Sequence, residues 1–211
     1  MSFLEELSEL LPADLPNRDK CIEISARHLD LIVEANKYFN LTRIVNPREA
    51  AIKHVVDSIL PWRLFAEAKH VVDAGTGAGY PGIPLAVVLP DVRFTLLEST
   101  QKKARFVETA IESLGLKNVE IFPERAEDWL AKNTAGVVTA RAVAPLQKAA
   151  TLFASSVGRG ARVLLYKGPD AEVEMEEAAQ ESKKRKVQMT ILERYELPDG
   201  LGTRTIVEIG R

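Results

Sequence analysis

The run Val71-Val72-Asp73-Ala74-Gly75-Thr76-Gly77-Ala78-Gly79-Tyr80-Pro81-Gly82 holds the densest chemical information in the chain. An apolar strand passes into a loop with glycine at alternate positions. Glycine permits positive φ and lets a ligand approach the backbone with no Cβ in the way. Gly77, Gly79 and Gly82 satisfy G-x-G-x-x-G, and Glu98 follows about 20 residues on, so the dinucleotide fingerprint is formally present. The glycines by themselves leave NAD and S-adenosylmethionine level as ligands. Asp73 shifts the balance. A carboxylate at the strand's end, facing the crevice, helps hold the polar loop and the amino-acid end of a cationic sulfonium, whereas it repels a pyrophosphate. Glu98, closing the next apolar run, is placed to accept from both ribose hydroxyls, a role the two ligands share. The bland alternative makes Asp73 and Glu98 ordinary strand-end acids. After the third apolar run, Glu124-Arg125-Ala126-Glu127-Asp128 either frames an adenine edge with its backbone or is an acid-rich helix start favoured by the helix dipole.

Val138-Thr139-Ala140-Arg141-Ala142-Val143-Ala144-Pro145 lies where a fourth strand ends, beside a transferable methyl group if the ligand is a sulfonium. It lacks the Asn or Asp, two prolines and aromatic that methylation of exocyclic amines uses. Carbon-5 pyrimidine chemistry needs a cysteine nucleophile, and the one cysteine, Cys21, falls among N-terminal helices as a structural residue. No Lys-Asp-Lys set offers to deprotonate a ribose hydroxyl. These absences favour an acceptor with no proton to remove, such as guanine N7, for which orientation and water exclusion would supply most of the rate. No catalytic base is therefore assigned. An arginine reading O6 and N7 together would block the attacking lone pair. Arg141 is expected instead on the cofactor carboxylate or a nucleotide phosphate, with a structural salt bridge as the alternative.

The elements that must position these groups change character along the chain. Residues 2–60 read as helices: a first run stopped by Pro12, a long helix from about Asp19 to Phe39, and one helix after Pro47 ended by Pro61. From His70, strand-like runs at His70–Ala74, Arg93–Glu98, Val119–Phe122, Val137–Ala140 and Arg162–Tyr166 alternate with helices, notably Gln101–Leu114 and Pro145–Val157. Such alternation predicts parallel strands joined by right-handed crossovers. Val187–Leu197 and Thr203–Ile209, joined by Pro198-Asp199-Gly200-Leu201-Gly202, read as a closing hairpin. The expected fold is α/β, a doubly wound Rossmann-like sheet of the class I S-adenosylmethionine methyltransferase type, ending in an antiparallel hairpin and preceded by N-terminal helices. The expected layout is a helical extension over residues 1–60 packed on a cofactor-binding domain over 61–211, one globular unit.

Composition sets the bounds. The 211 residues are 46% hydrophobic and 27% charged, an ordinary globular mix with net charge −2. One cysteine excludes a disulfide framework or a cysteine-rich metal site, and no metal is expected. Met1–Leu11 does not read as a signal peptide, no run is long enough to span a bilayer, and the cytoplasm is the expected compartment. Basic runs at Lys102-Lys103-Ala104-Arg105 and Lys183-Lys184-Arg185-Lys186 are either solvated helix faces or phosphate contacts.

Several ordered motifs resemble the RsmG (GidB) methyltransferases. They are Asn40-Leu41-Thr42-x-Ile44, His54-x-x-Asp57-Ser58, the loop Gly75 to Ala86, Glu98-Ser99-x-x-Lys102-Lys103, Arg125-Ala126-Glu127, Arg141-Ala142 and Lys167-Gly168. Tyr80 stands where another large apolar residue is commoner. The resemblance covers nearly the whole chain. It implies methyl transfer from S-adenosylmethionine to N7 of a guanine in the 530 loop of bacterial 16S rRNA, position 527 in conventional numbering. It places cofactor contacts at Gly75, Tyr80, the turn Glu98, Ser99 and Thr100, Ala126, Glu127 and Arg141, beside Asp73, Gly77 and Gly79 from the loop. Asn40, His54 and Asp57 are expected on the substrate side; His28 and His70 are expected as scaffold. With only 6% aromatics, phosphate contacts should dominate RNA binding, through Lys102, Lys103, Arg105 and Lys167. The implied partner is 16S rRNA or a small-subunit assembly particle. A small-molecule methyltransferase of the same fold and an RNA-binding assembly factor with a vestigial site are the competing readings.

Overall fold

The computed structural model describes residues 1–142 and 144–211; Val143, in the segment quoted after the fourth strand, lies outside them. Seven strands form one sheet in the order β3-β2-β1-β4-β5-β7-β6. β1 (His70–Ala74), β2 (Arg93–Leu97), β3 (Val119–Phe122), β4 (Val137–Arg141) and β5 (Arg162–Lys167) run parallel, and β6 (Gln188–Glu196) and β7 (Thr203–Gly210) form the antiparallel hairpin. Every residue of β1 is buried, as a strand covered on both faces requires. β1 is flanked by β2 and β4, so the chain winds outward to β3 and then returns past β1. This reversal opens a crevice at the carboxyl ends of β1 and β4, the place where open α/β sheets bind ligands.

Two apolar layers hold the sheet. On one face α5 (Gly82–Val88) and α6 (Gln101–Leu114) join α1 (Phe3–Leu10) and α2 (Arg18–Asn36), with Leu7, Leu29, Ile32, Ile83 and Phe94 fully buried between them. On the other, α7 (Ala126–Lys132), α8 (Leu146–Gly158) and α9 (Ala171–Arg185) pack through Trp129, Phe153 and Ala178. The third glycine of the fingerprint serves this packing. A Cβ on Gly82 would lie 2.2 Å from Leu96 Cδ2 and 2.8 Å from Asp73 Oδ2, so only glycine lets α5 start this close to the sheet.

The helix expected after Pro47 is corrected in one respect. It begins as α3 (Pro47–Ala50), capped by Asn46, whose side chain accepts from the Glu49 amide. It then widens into a π-helical stretch over Ala51–Val56 and tightens again as α4 (Asp57–Ile59). Local π geometry changes the rotation of every later side chain relative to an unbroken α-helix, and it recurs at functional sites. Here it sets where His54 and Asp57 point.

Candidate active site

Gly75, Gly77 and Gly79 all take positive φ, at 75°, 64° and 102°. The loop they form is anchored from beneath. Leu97 O accepts from the amides of Gly75 (2.9 Å) and Thr76 (3.0 Å), and Asp73 Oδ2 accepts from Thr76 Oγ1 (2.6 Å) and the Gly82 amide (2.9 Å). Asp73 is fully buried, and its Oδ1 has no partner among the described residues. Burial pushes its carboxyl up to about 6 against the lowering effect of those two hydrogen bonds. Holding the loop, one of the two parts expected of Asp73, is the part its geometry displays.

Glu98 closes the loop from the side. Its Oε2 accepts from the Gly77 amide at 3.1 Å and its Oε1 from the Thr100 amide at 2.7 Å. An ionised carboxylate offers about four acceptor positions. The two left over suit the two hydroxyls of a ribose. Beyond Glu98 a cleft of about 210 Å³ is bounded by Gly75, Ser99, Arg125, Ala126 and Glu127, with Leu97 and Leu152 as apolar walls. A glycine surface free of side chains, a carboxylate with spare lone pairs and an apolar slot together fit the nucleoside of S-adenosylmethionine. Lys148, in the first turn of α8, also lines this cleft, and no motif pointed to it.

Tyr80 ends the loop and is almost wholly buried, with its hydroxyl unpartnered among the described residues. Its ring lies 4.9 Å from His54 at an interplanar angle of 11° and 4.9 Å from His28, while the Arg141 guanidinium stands 5.5 Å above it. The phenol therefore backs the loop from inside. His28 Nε2 lies 2.9 Å from Ala78 O; a carbonyl only accepts, so that nitrogen carries the proton. Burial keeps both histidines neutral, holding His28 down to about 3 and His54 down to about 4, the latter helped by the Arg141 charge.

These shifts have a consequence for stability. A histidine whose folded pKa is depressed stays neutral in the fold while the unfolded chain takes up a proton below about 6.5. Stability contributed this way is complete above that pH and is lost as pH falls toward the folded values. Asp73, with its folded pKa raised, acts in the opposite direction between its ordinary 3.8 and about 6, offsetting one of the two histidines. The urea midpoint is expected to fall between about pH 7 and about pH 5. His28→Gln should flatten that slope by one proton, about 1.4 kcal/mol per pH unit. An unchanged slope in the variant would contradict the neutral, buried state.

A second cleft, of about 380 Å³, opens beside the end of β4. The N-terminal layer contributes Ile44, Lys53, His54 and Asp57; Arg141, Lys167, Glu174 and Arg204 come from the sheet and α9. Asp57 is its hub. Oδ2 accepts from Arg141 Nη1 at 3.1 Å and Oδ1 from Arg204 Nε at 2.8 Å, with the carboxylate only 1% exposed. Arg141 Nη1 also donates to Lys53 O at 2.9 Å. Arg141 thus makes the internal salt bridge named as its alternative role. Lys167, expected at a phosphate, is tied to Glu174 Oε2 (2.6 Å) and Ala144 O (3.1 Å).

The remaining expected residues are dispersed. Thr42 Oγ1 meets His54 Nε2 at 3.2 Å, and Asn36 Oδ1 shapes that loop by accepting from the Leu41 and Thr42 amides, a role sequence reasoning missed. Asn40 is exposed and lines neither cleft. Lys102 and Arg105 are exposed and Lys103 half-buried at the start of α6, just after the Glu98–Thr100 turn. The Lys183–Lys186 run ends α9 next to the start of β6, at the opposite end of the sheet, where Lys184 and Arg185 share Glu181. His70 reaches Thr95 Oγ1 at 2.9 Å and stays with the scaffold. Among the described residues no group of three or more His, Cys, Asp or Glu could hold a metal ion, and no helix is long and apolar enough to cross a membrane.

Comparison with known proteins adds independent findings. The family model described as "rRNA small subunit methyltransferase G" (GidB) matches residues 22–199. A ribosomal RNA small subunit methyltransferase G of Solibacter usitatus is 68% identical over 209 residues, spanning 99% of this chain and 100% of the relative. One from Carboxydothermus hydrogenoformans is 32% identical over 88% of this chain and 81% of its own length. Among solved structures, cofactor-bound Rv0187 from MTB has a TM-score of 0.62 at 17% identity, covering 87% of this chain and 88% of that one. The O-methyltransferase from Bacillus cereus in complex with SAH has a TM-score of 0.59 at 19% identity, covering 88% and 91%. At such identities the structures speak for the fold.

Proposed function

Because the chain belongs to the GidB family of rRNA small subunit methyltransferases, we propose that this S-adenosylmethionine-dependent enzyme methylates N7 of a guanine in the 530 loop of 16S rRNA, position 527. The observation that carries this reading is the pair of clefts flanking the end of β4. One is built for a nucleoside, and the other is lined with cations and two carboxylates. S-adenosylmethionine, when bound, would supply an electrophilic methyl group on a sulfonium, for which the proton-free N7 lone pair is a fitting acceptor. The residues of this chain orient and shield. Glu98, Ser99, Ala126 and Glu127 would hold the nucleoside, and the side-chain-free surface of Gly75, Gly77 and Gly79 would let the amino-acid portion come close to the backbone. Arg141, already bound to Asp57, keeps a partly open fork toward the acceptor cleft. Arg141 and Arg204 share the Asp57 carboxylate, which offsets part of the positive charge that would otherwise oppose a cationic methylated base. Neither His54 nor Asp57 has a proton to remove.

Lys102, Lys103 and Arg105 beside the cofactor turn would meet RNA phosphates, whose attraction is salt-dependent. An acceptor base must be looped out or extruded to enter the second cleft. The substrate is then a small-subunit assembly particle whose proteins shape the RNA, and the enzyme works in the cytoplasm where that particle forms. Residues 1–60 form the appended layer that walls the acceptor cleft, on a catalytic domain of residues 61–211. Small subunits from a strain lacking the protein should lose one borohydride–aniline cleavage at a single nucleotide. The purified protein with S-adenosylmethionine should restore it. Unchanged cleavage in the deletion strain would refute the target, and methylation of a metabolite extract with none of RNA would select a small-molecule acceptor.

A further inference from the structure

We propose that Glu174 reads the Watson–Crick edge of the acceptor guanine and so makes the second cleft selective for that base, an assignment that rests on the N7 reading above. The reasoning starts from the base. Guanine N7 must stay free to attack, so a fork of donors on N7 and O6, the commonest way to recognise guanine, is unavailable. The opposite edge carries N1–H and the 2-amino group, two donors, and calls for an acceptor. Adenine presents an unprotonated N1 there and no 2-amino group, so a carboxylate facing that edge both attracts guanine and repels adenine.

Among the described residues two carboxylates, Asp57 and Glu174, line the cleft. Asp57 is committed on both oxygens to Arg141 and Arg204 and is buried. Glu174 is different. Its side chain is 27% exposed, and its Oε2 alone is engaged, by Lys167 Nζ at 2.6 Å and by the Leu146 amide at 3.0 Å. Oε1 has no protein partner among the described residues, leaving its lone pairs open to N1–H and N2–H. The two bonds on Oε2 fix the carboxylate's orientation before any base arrives, which lowers the cost of recognition. One of them comes from the first residue of α8, so Glu174 is fastened to the segment that separates the two clefts.

The test compares Glu174→Gln with the unaltered enzyme on reconstituted small subunits carrying guanosine or inosine at the target nucleotide. Inosine keeps N7, O6 and N1–H and lacks only the 2-amino group. A hydrogen bond to a charged partner accounts for roughly 10- to 150-fold. The unaltered enzyme is therefore expected to favour guanosine in kcat/KM by roughly 10-fold or more, and Glu174→Gln, which can still accept from the Leu146 amide, to bring that ratio close to one with S-adenosylmethionine affinity unchanged. A variant that loses activity equally on both substrates, preserving the ratio, would show Glu174 to be a cap on α8 and overturn the assignment. So would an unaltered enzyme that treats the two alike, a result that needs no variant to fold. Failure of the N7 reading has its own signature: the unaltered enzyme leaves both substrates without a methyl group at N7, and the assignment falls with it.

Discussion

Glu98→Ala is expected to weaken S-adenosylmethionine binding by roughly 100- to 10,000-fold, the equivalent of two hydrogen bonds to a charged group. Two ribose hydroxyls would lose their acceptor. In addition, the Gly77 and Thr100 amides would lose the carboxylate that sets the loop against the turn at 3.1 and 2.7 Å. Glu98→Gln should fall between, since its amide offers one acceptor oxygen and a donor that faces the ribose badly. Calorimetric titration with the cofactor measures both. The variants should remain folded, because Thr100 is exposed and Gly77 half-buried, so water can replace the carboxylate at both amides. A dissociation constant within a few-fold of the unaltered protein would remove Glu98 from the cofactor site.

Asp57→Ala should act on stability instead. It strands two arginines against the same vacated space, Arg141 at 16% exposure and Arg204 at 26%. Breaking a buried pair costs about 3–5 kcal/mol, and the residual contact of both guanidinium groups with water argues for the lower end, about 3 kcal/mol. For a chain of this size that corresponds to a fall in Tm of roughly 6–12 °C. Tyr195, whose hydroxyl donates to Asp57 O at 3.1 Å, keeps that bond because it goes to the backbone. Asp57→Asn preserves the shape and one acceptor and should cost less. A scanning calorimetry trace unchanged by Asp57→Ala would show the two arginines to be adequately solvated without their partner. Because Arg141 sits at the end of β4, the variant should also slow methyl transfer, and comparing Tm with kcat separates the two effects.

The parts of this architecture that were legible in the sequence are those fixed by local pattern. Alternating strands and helices, the closing hairpin and the glycine loop between Asp73 and Glu98 each follow from periodicity or from residues with few conformational alternatives. The structural neighbours share the class I methyltransferase fold that this pattern predicts. What escaped is long-range or depends on backbone detail. No residue type marks the π-helical stretch at Ala51–Val56, yet it orients His54 and Asp57. Arg204 lies 147 positions from Asp57, with nothing in a strand of ordinary composition to announce the pairing. Glu174 sits among the many acids of a polar helix that fully buries only Ala171 and Ala178, so its role is visible only through Lys167 and Leu146. Lys167 shows the converse: its motif was noticed, but its ammonium is spent on Glu174.

The ring stack His28–Tyr80–His54 ties the glycine loop to the wall of the second cleft through buried contacts. Thermodynamic linkage then makes the two occupants answerable to each other. Whatever factor the cofactor adds to RNA affinity by settling Tyr80 must return, equal in size, as added affinity for the cofactor once RNA is in place. The demethylated cofactor lacks the sulfonium charge, and any smaller hold it has on Tyr80 must appear, in equal measure, as weaker affinity for RNA.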